Sequence, residues 1–276
     1  MPSLYIVSTP IGNLEDITFR AVRILNDVDV IAAEDTRVTR KLLAHYNIRT
    51  KVISYNDNNR NKRIPYIIGL LKLKNVALVS DAGTPVISDP GLELIQACVE
   101  QKFNVVPIPG PSAATTSLSI SGFPGKEFLF LGFLPASQNH KRKLLESISG
   151  IKYPLILFEA PHRLRKTLSD LIHVFGNRKI SVVREVTKFY EEVFRSSILE
   201  CQEHFTNPKG EFTLIVEGNH IEPDCPTEEI YKMFDELIST GSSPREAREI
   251  IFSRTKISRR EIYRMSISKK QSTVTP

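Results

Sequence analysis

The residues best suited to chemistry lie at 80–91, Ser80-Asp81-Ala82-Gly83-Thr84-Pro85-Val86-Ile87-Ser88-Asp89-Pro90-Gly91. Two glycines, two prolines and two aspartates crowd the point where the apolar run Val76-Ala77-Leu78-Val79 would end as a buried strand. Such a turn lets backbone approach a ligand with no bulky side chain between them. A second turn, Pro109-Gly110-Pro111-Ser112-Ala113-Ala114, follows the run Val105-Val106. In open α/β sheets ligands bind beyond the carboxyl ends of strands, so both turns are expected to serve one pocket.

Other familiar chemistries are missing. The chain has no Gly-x-Gly-x-x-Gly dinucleotide turn and no Walker A sequence. It has no Gly-x-Ser-x-Gly elbow, and its six histidines show no metal-ligand spacing. Common dehydrogenase, kinase and hydrolase readings are therefore disfavoured, and no metal site is expected.

The elements that must position these turns alternate. Short apolar runs at 4–7, 28–33, 52–55, 76–79 and 105–108 read as strands. Helical spacing appears at Ile17, Ala21, Ile24 and Leu25, and at Leu92, Ile95 and Val99. Alternation of this kind predicts an α/β fold with parallel or mostly parallel pairing and helices on both faces. The second half repeats the theme more loosely, with strands at 128–133, 155–158, 180–183 and 213–216 and helices at 142–148, 163–175 and 228–238. The stretch around Gly122, Pro124 and Gly125 is the best boundary, giving domains at 1–118 and 119–222 and a helical tail at 223–276.

Charge is concentrated in the tail. Between Arg245 and Lys270 nine basic residues face three acidic ones, an excess equal to the net +6 of the whole 276-residue chain. That pattern fits an enzyme acting on a polyanion, and equally a solvated basic helix. Ser243-Pro244-Arg245-Glu246 and Ser258-Arg259-Arg260-Glu261 each read as a capping box, predicting two short helices in a helix-turn-helix-like pair. The three cysteines, Cys98, Cys201 and Cys225, are too scattered for a disulfide framework, so a reducing cytoplasm is expected. The N-terminus lacks a signal-peptide pattern, and no run nears the ~20 apolar residues of a membrane helix.

An ordered series of motifs then points to a family. Pro10-Ile11-Gly12-Asn13-Leu14-Glu15-Asp16, Glu34-Asp35-Thr36-Arg37, the 80–91 turn and Pro109-Gly110-Pro111-Ser112-Ala113 come first. Gly132-Phe133-Leu134-Pro135, Phe158-Glu159-Ala160-Pro161-His162-Arg163, Arg184-Glu185-Val186-Thr187-Lys188 and Lys209-Gly210-Glu211-Phe212 follow. Over roughly residues 3–219 the series closely resembles the small-subunit ribosomal RNA methyltransferase group of the tetrapyrrole methylase family. The resemblance implies two α/β domains with S-adenosylmethionine in the interdomain cleft, a small helical C-terminal extension, and a homodimer. It further implies 2′-O-methylation of a cytidine ribose in the decoding region of 16S ribosomal RNA, within the small subunit.

By that resemblance Ala82, Gly83, Thr84 and Ile87 hold the amino-acid end of the cofactor, where backbone N–H groups can take a carboxylate. Ser112 and Ala113 form a second wall. Phe158, Phe212 and Thr213 line the adenine, and Pro10 and Gly12 close the cleft near the sulfonium. Candidate catalytic groups are Asp35, Glu185 and Lys188. Asp35 fits a helix N-cap equally well, and Glu185 with Lys188 fits a salt bridge. Arg37, His162, Arg163 and the tail's Arg259 and Arg260 are expected at RNA, as are Lys141, Arg142 and Lys143, three consecutive cations beside a family motif. A carbon methyltransferase for a tetrapyrrole ring and a non-enzymatic nucleic-acid-binding module are the competing functions. The first fits the Glu34-Asp35-Thr36-Arg37 segment poorly, and the second leaves the large α/β body unexplained.

Overall fold

The computed structural model describes residues 2–219, 227–254 and 262. In the first half, continuous apolar strands form because both sheet faces are covered. Ser3–Val7 (β1), Val30–Ala33 (β2), Lys51–Ser54 (β3), Val76–Val79 (β4) and Asn104–Ile108 (β5) pair in the order β3-β2-β4-β1-β5, every neighbour parallel. Phe19–Asp27 (α1) and Thr36–His45 (α2) cover one face; Arg60–Leu70 (α3) and Leu92–Glu100 (α4) cover the other. Alternate residues of one strand divide between these layers: Val30 and Ala32 pack with Ile67 and Leu94, while Ile31 and Ala33 pack with Leu25 and Leu43. The short helix Ala113–Ser119 (α5) follows β5.

The second sheet differs from the first. Leu129–Phe133 (β6), Leu155–Glu159 (β7), Lys179–Arg184 (β8), Glu192–Ser197 (β9) and Phe212–Val216 (β10) lie in the order β6-β7-β10-β8-β9. Only β6 and β7 pair in parallel; the remaining neighbours are antiparallel. Strand β9 is absent from the sequence expectations, because a half-exposed edge strand with the sequence Glu192-Val193-Phe194-Arg195-Ser196-Ser197 shows little apolar alternation. Gln138–Ile148 (α6), Pro161–Phe175 (α7) and Ile198–His204 (α8) connect the strands. Both sheets belong to one compact unit, Met1–Ser149 with Tyr153–Glu217.

A separate unit comprises Gly150–Lys152 and Gly218–Pro276. Within it Thr227–Ser239 (α9) and Pro244–Arg254 (α10) bury Ile230 and Ile251 together with Ile262. The expected capping box at α10 is formed: Glu246 Oε2 accepts from Ser243 N at 2.8 Å, and Glu246 N donates to Ser243 Oγ at 3.3 Å. The second predicted box, with Arg259 and Arg260, lies outside the described residues.

One expectation is overturned here. Lys141, Arg142 and Lys143 sit on α6 and do not act together as a surface clamp. One residue turns a helix by about 100°, so Lys141 joins Leu145 and Ile148 on the buried face. It is 3% exposed, and its Nζ meets Asp170 Oδ2 of α7 at 2.7 Å. Arg142 pairs with Glu146 at 2.8 Å on the exposed face, beside the exposed Lys143. Lys141→Ala leaves the Asp170 carboxylate with Gln138 Nε2 at 2.7 Å but without its cation, and is expected to cost about 3 kcal/mol. Lys141→Met paired with Asp170→Leu should recover most of that loss. Urea denaturation checks both, and a neutral Lys141→Ala would show that the pair is solvated.

Candidate functional site

Parallel pairing delivers the carboxyl ends of β1, β4 and β5 to one edge, and hydrogen bonds stitch the turns there. Thr9 N donates to Gly83 O at 2.9 Å, and Gly83 N returns the bond to Thr9 O at 3.0 Å. Ser8 Oγ lies 3.0 Å from Thr84 Oγ1, and Thr9 Oγ1 donates to Ser80 O at 3.2 Å. Gly83 has φ +78°, a conformation glycine adopts without strain. A Cβ on Gly110 would lie 2.9 Å from Ser8 Cβ, so the second turn also needs its glycine for close approach. Val86 and Ser88 hold positive φ of 77° and 67°. Left-handed backbone at a β-branched residue is costly and is held by surrounding contacts. One of those contacts is Gly132, where a Cβ would meet Ser88 Oγ at 2.5 Å. The bulge between Phe130 and Gly132 thus seats the 84–91 loop against the second sheet.

These turns face the second sheet across a hollow of about 310 Å³. Ala82, Gly83, Thr84, Ile87, Ser112 and Ala113 line it from one side. Phe158, Phe212 and Thr213 line it from the other, with Phe133. Antiparallel register explains the second group: Thr213 lies opposite Phe158, and Phe212 opposite Glu159. The rings of Phe130 and Phe133 pack edge-on against Phe158, with centroids at 5.1 and 5.8 Å. Pro10 and Gly12 line a second hollow of about 310 Å³, which shares Ile11, Ala82 and Glu211 with the first. Sequence reasoning missed Asp89 and Glu211, which also line the first hollow.

Asp89 stands out electrostatically. Burial, reinforced by the negative charge of Glu34, pushes its carboxyl up to about 6. Burial also raises Glu34 and Asp81. Glu34 Oε2 accepts from Asp81 N at 3.4 Å, and Asp81 Oδ1 accepts from Asp35 N at 2.9 Å. The ends of β2 and β4 therefore carry a group of carboxylates, two of which accept from backbone N–H groups within the group.

A model of the tetrapyrrole (corrin/porphyrin) methylases matches residues 3–201. This chain belongs to the tetrapyrrole methylase family. It is 44% identical over 276 residues to ribosomal RNA small subunit methyltransferase I of Halalkalibacterium halodurans, covering 95% of this chain and 93% of that one. Its identity to the Thermotoga maritima protein of the same name is 48% over 221 residues, covering 79% of this chain and 99% of that one. The fold resembles uroporphyrin-III C-methyltransferase of Thermus thermophilus in complex with S-adenyl homocysteine, with a TM-score of 0.57 and 16% identity over 78% of this chain and 97% of that one.

The remaining expected site residues of this tetrapyrrole methylase fall away from the first hollow. Asp35 is the N-cap of α2, accepting from Arg37 N at 2.8 Å and gripping the Arg37 guanidinium from both carboxylate oxygens. That hydrogen bonding holds the Asp35 carboxyl down to about 2. It lines a third, polar depression of about 460 Å³ with Arg37, Asn56 and Asp81. Lys188 Nζ bonds Glu185 Oε1 at 3.0 Å and Glu211 Oε2 at 2.8 Å. Burial opposes the charge on Lys188, but these bonds outweigh it and raise its pKa; Glu185 is likewise held low, despite burial, by the Glu211 N–H and Lys188. Both side chains are engaged in this hydrogen-bonded cluster. Arg163 is turned inward as well, bonding Glu159 at 3.2 Å and Leu134 O at 2.7 Å, whereas His162 is exposed at the start of α7.

Gly12 ties the two sheets together at this edge. A Cβ there would lie 2.4 Å from Lys188 Cγ and 2.8 Å from Thr187 Oγ1. Gly12→Ala is therefore expected to displace the 185–191 segment and cost about 1–3 kcal/mol. Hydrogen–deuterium exchange should show faster exchange across that segment with α1 unaffected; unchanged exchange would mean that the loop accommodates the methyl group freely.

Proposed function

We propose that this protein transfers the methyl group of S-adenosylmethionine to the ribose 2′-hydroxyl of a cytidine in the decoding region of 16S ribosomal RNA. The identity to the two ribosomal RNA methyltransferases over nearly their whole length carries this reading. The hollow suits the cofactor. Its first wall is backbone and small side chains, which admit the amino-acid end and ribose. Its second wall offers the edge-packed Phe158 with Phe212 and Thr213 for the adenine. Asp89 and Glu211 supply carboxylates for a ligand that carries an ammonium and a sulfonium.

When bound, S-adenosylmethionine supplies an electrophilic methyl whose departure leaves a neutral thioether. The chain's own residues bind, orient and exclude. Thr84 is fixed by Ser8 and Pro111 O, so the turn it belongs to is set before the ligand arrives. Ionised Asp89 favours the cationic cofactor. Lys188, held charged beside Gly12, favours developing negative charge on the acceptor oxygen. Positioning and this field replace a strong base, and the hydroxyl proton passes to solvent water as the carbon–oxygen bond forms and the carbon–sulfur bond breaks. Arg37, Arg142, Lys143, His162, Arg259 and Arg260 remain candidate RNA contacts. The homodimer belongs to the same reading, with Leu92 and Val99 exposed on one side of α4 as its contact face.

The decisive experiment incubates small ribosomal subunits lacking this methyl group with the protein and methyl-labelled cofactor, followed by alkaline cleavage. A single gap carrying label is expected. Cofactor binding without label in RNA would overturn the reading and favour a small tetrapyrrole acceptor. The field at Asp89 gives a second prediction. Its carboxyl is raised, so it is mostly protonated below about 6 and charged above. Cofactor affinity should therefore tighten by about tenfold between pH 5 and 7.5, a modest charge-pair contribution. Asp89→Asn should flatten this dependence in calorimetric titrations. A variant that keeps the wild-type profile would remove Asp89 from the cofactor's surroundings.

A further inference from the structure

Phe189 and Tyr190 are 92% and 71% exposed, consecutive, and packed edge to face at 5.0 Å. Two neighbouring aromatic rings in water are unusual for a soluble chain and mark an interaction surface. Their loop is not loose. Glu185 and Thr187 hold positive φ of 50° and 67°. Thr187 N donates to Glu191 Oε2 at 2.6 Å, Lys188 N to Glu185 O at 3.0 Å and Glu191 N to Lys188 O at 3.0 Å. Thr187 Oγ1 also accepts from Asn13 N at 3.1 Å, fastening the loop to the segment after β1. The rings are thus displayed on a braced support, and their ordering cost is already met.

Placement points to the ligand. Lys188, next to Phe189, lines the second hollow with Gly12, Leu14, Val38 and Lys41. That hollow adjoins the proposed cofactor hollow across Ile11 and Ala82, and its walls are mainly apolar. Lys41 and Arg37 lie one turn apart on α2, both exposed, with Arg40 also exposed. An apolar slot, a row of cations and a pair of open aromatic rings together match single-stranded RNA, whose bases stack on aromatics while cations follow its phosphates.

Resting on the function proposed above, we propose that the second hollow receives the acceptor nucleoside and that Phe189 and Tyr190 are the platform on which its unpaired neighbouring bases stack. The rings lie outside both hollows, so their role is positioning of the RNA. Replacing them removes stacking without removing a phosphate contact.

The test uses the full chain and two RNA probes, a cytidine dodecamer and unmethylated small subunits. Phe189→Ala with Tyr190→Ala should weaken dodecamer binding by about 30-fold, from stacking on two rings. It should raise KM for subunits comparably, with cofactor affinity and the salt slope of RNA binding unchanged. Phe189→Tyr with Tyr190→Phe should restore binding. Unchanged RNA affinity overturns the platform; if sedimentation shows loss of self-association at the same time, the rings belong to a contact between copies of the chain. A wild-type protein that binds the dodecamer through these rings but transfers no methyl to subunits would overturn the function proposed above and leave the platform standing.

Discussion

The structure depends on one apolar junction. Ile11, Ala114 and Leu118 from the first half pack with Ile156, Val183, Val186 and Ile215 of the second. Ile11, Val183 and Val186 also line the hollow, so the contact that joins the two sheets helps set the distance between its walls. Two close approaches reinforce it: Gly132 under Ser88, and Gly12 under Thr187 and Lys188. A Cβ at either would force the facing side chains to shift. A hollow between two sheets would otherwise widen or close with their relative motion. Here burial of apolar area between the sheets and two glycine contacts favour one spacing.

Legibility in the sequence follows how local each cause is. Central strands β2, β4 and β10 are continuous apolar runs because both faces are covered, and a short window reveals them. The ligand-facing turns are legible because glycine and proline report backbone demands directly. The helix α2 is obscured: Arg37, Arg40 and Lys41 crowd a segment whose buried side is only Thr39, Leu42 and Leu43. Lys141 is a harder case. Its adjacency to Arg142 and Lys143 is a fact of sequence, but its partner, Asp170, comes from another helix. Asp89 is not legible as a special carboxylate, because its raised pKa arises from burial and from the charge of Glu34, both products of the tertiary fold. The Gly12 contact with Lys188 is equally non-local, although a glycine directly after a strand is the one signal that invited attention to it.

Charge is divided by function. Carboxylates Glu34, Asp81 and Asp89 gather at strand ends, where burial raises all three. Cations Arg37, Arg40 and Lys41 point outward from the helix that starts beside them. A protein that only bound a polyanion would gain nothing from carboxylates beside its own pocket. Of the three, Asp89 lines the first hollow, where the proposed ligand is a cation. Asp35 separates the two regions: by capping α2 and gripping Arg37, it fixes a guanidinium between the carboxylates and the basic surface.

In the proposed reaction Asp89 shares the first hollow with a cationic cofactor, and attraction in a partly desolvated site is stronger than in water. Asp89 disfavours RNA phosphates in the first hollow, which leaves the braced loop, α2 and the second hollow with Lys188 to meet the polyanion in the proposed reaction. Selectivity between a cationic small molecule and an anionic large one thus follows from placement: Asp89 in the first hollow, Lys188 in the second, and Arg37 and Arg40 exposed on α2.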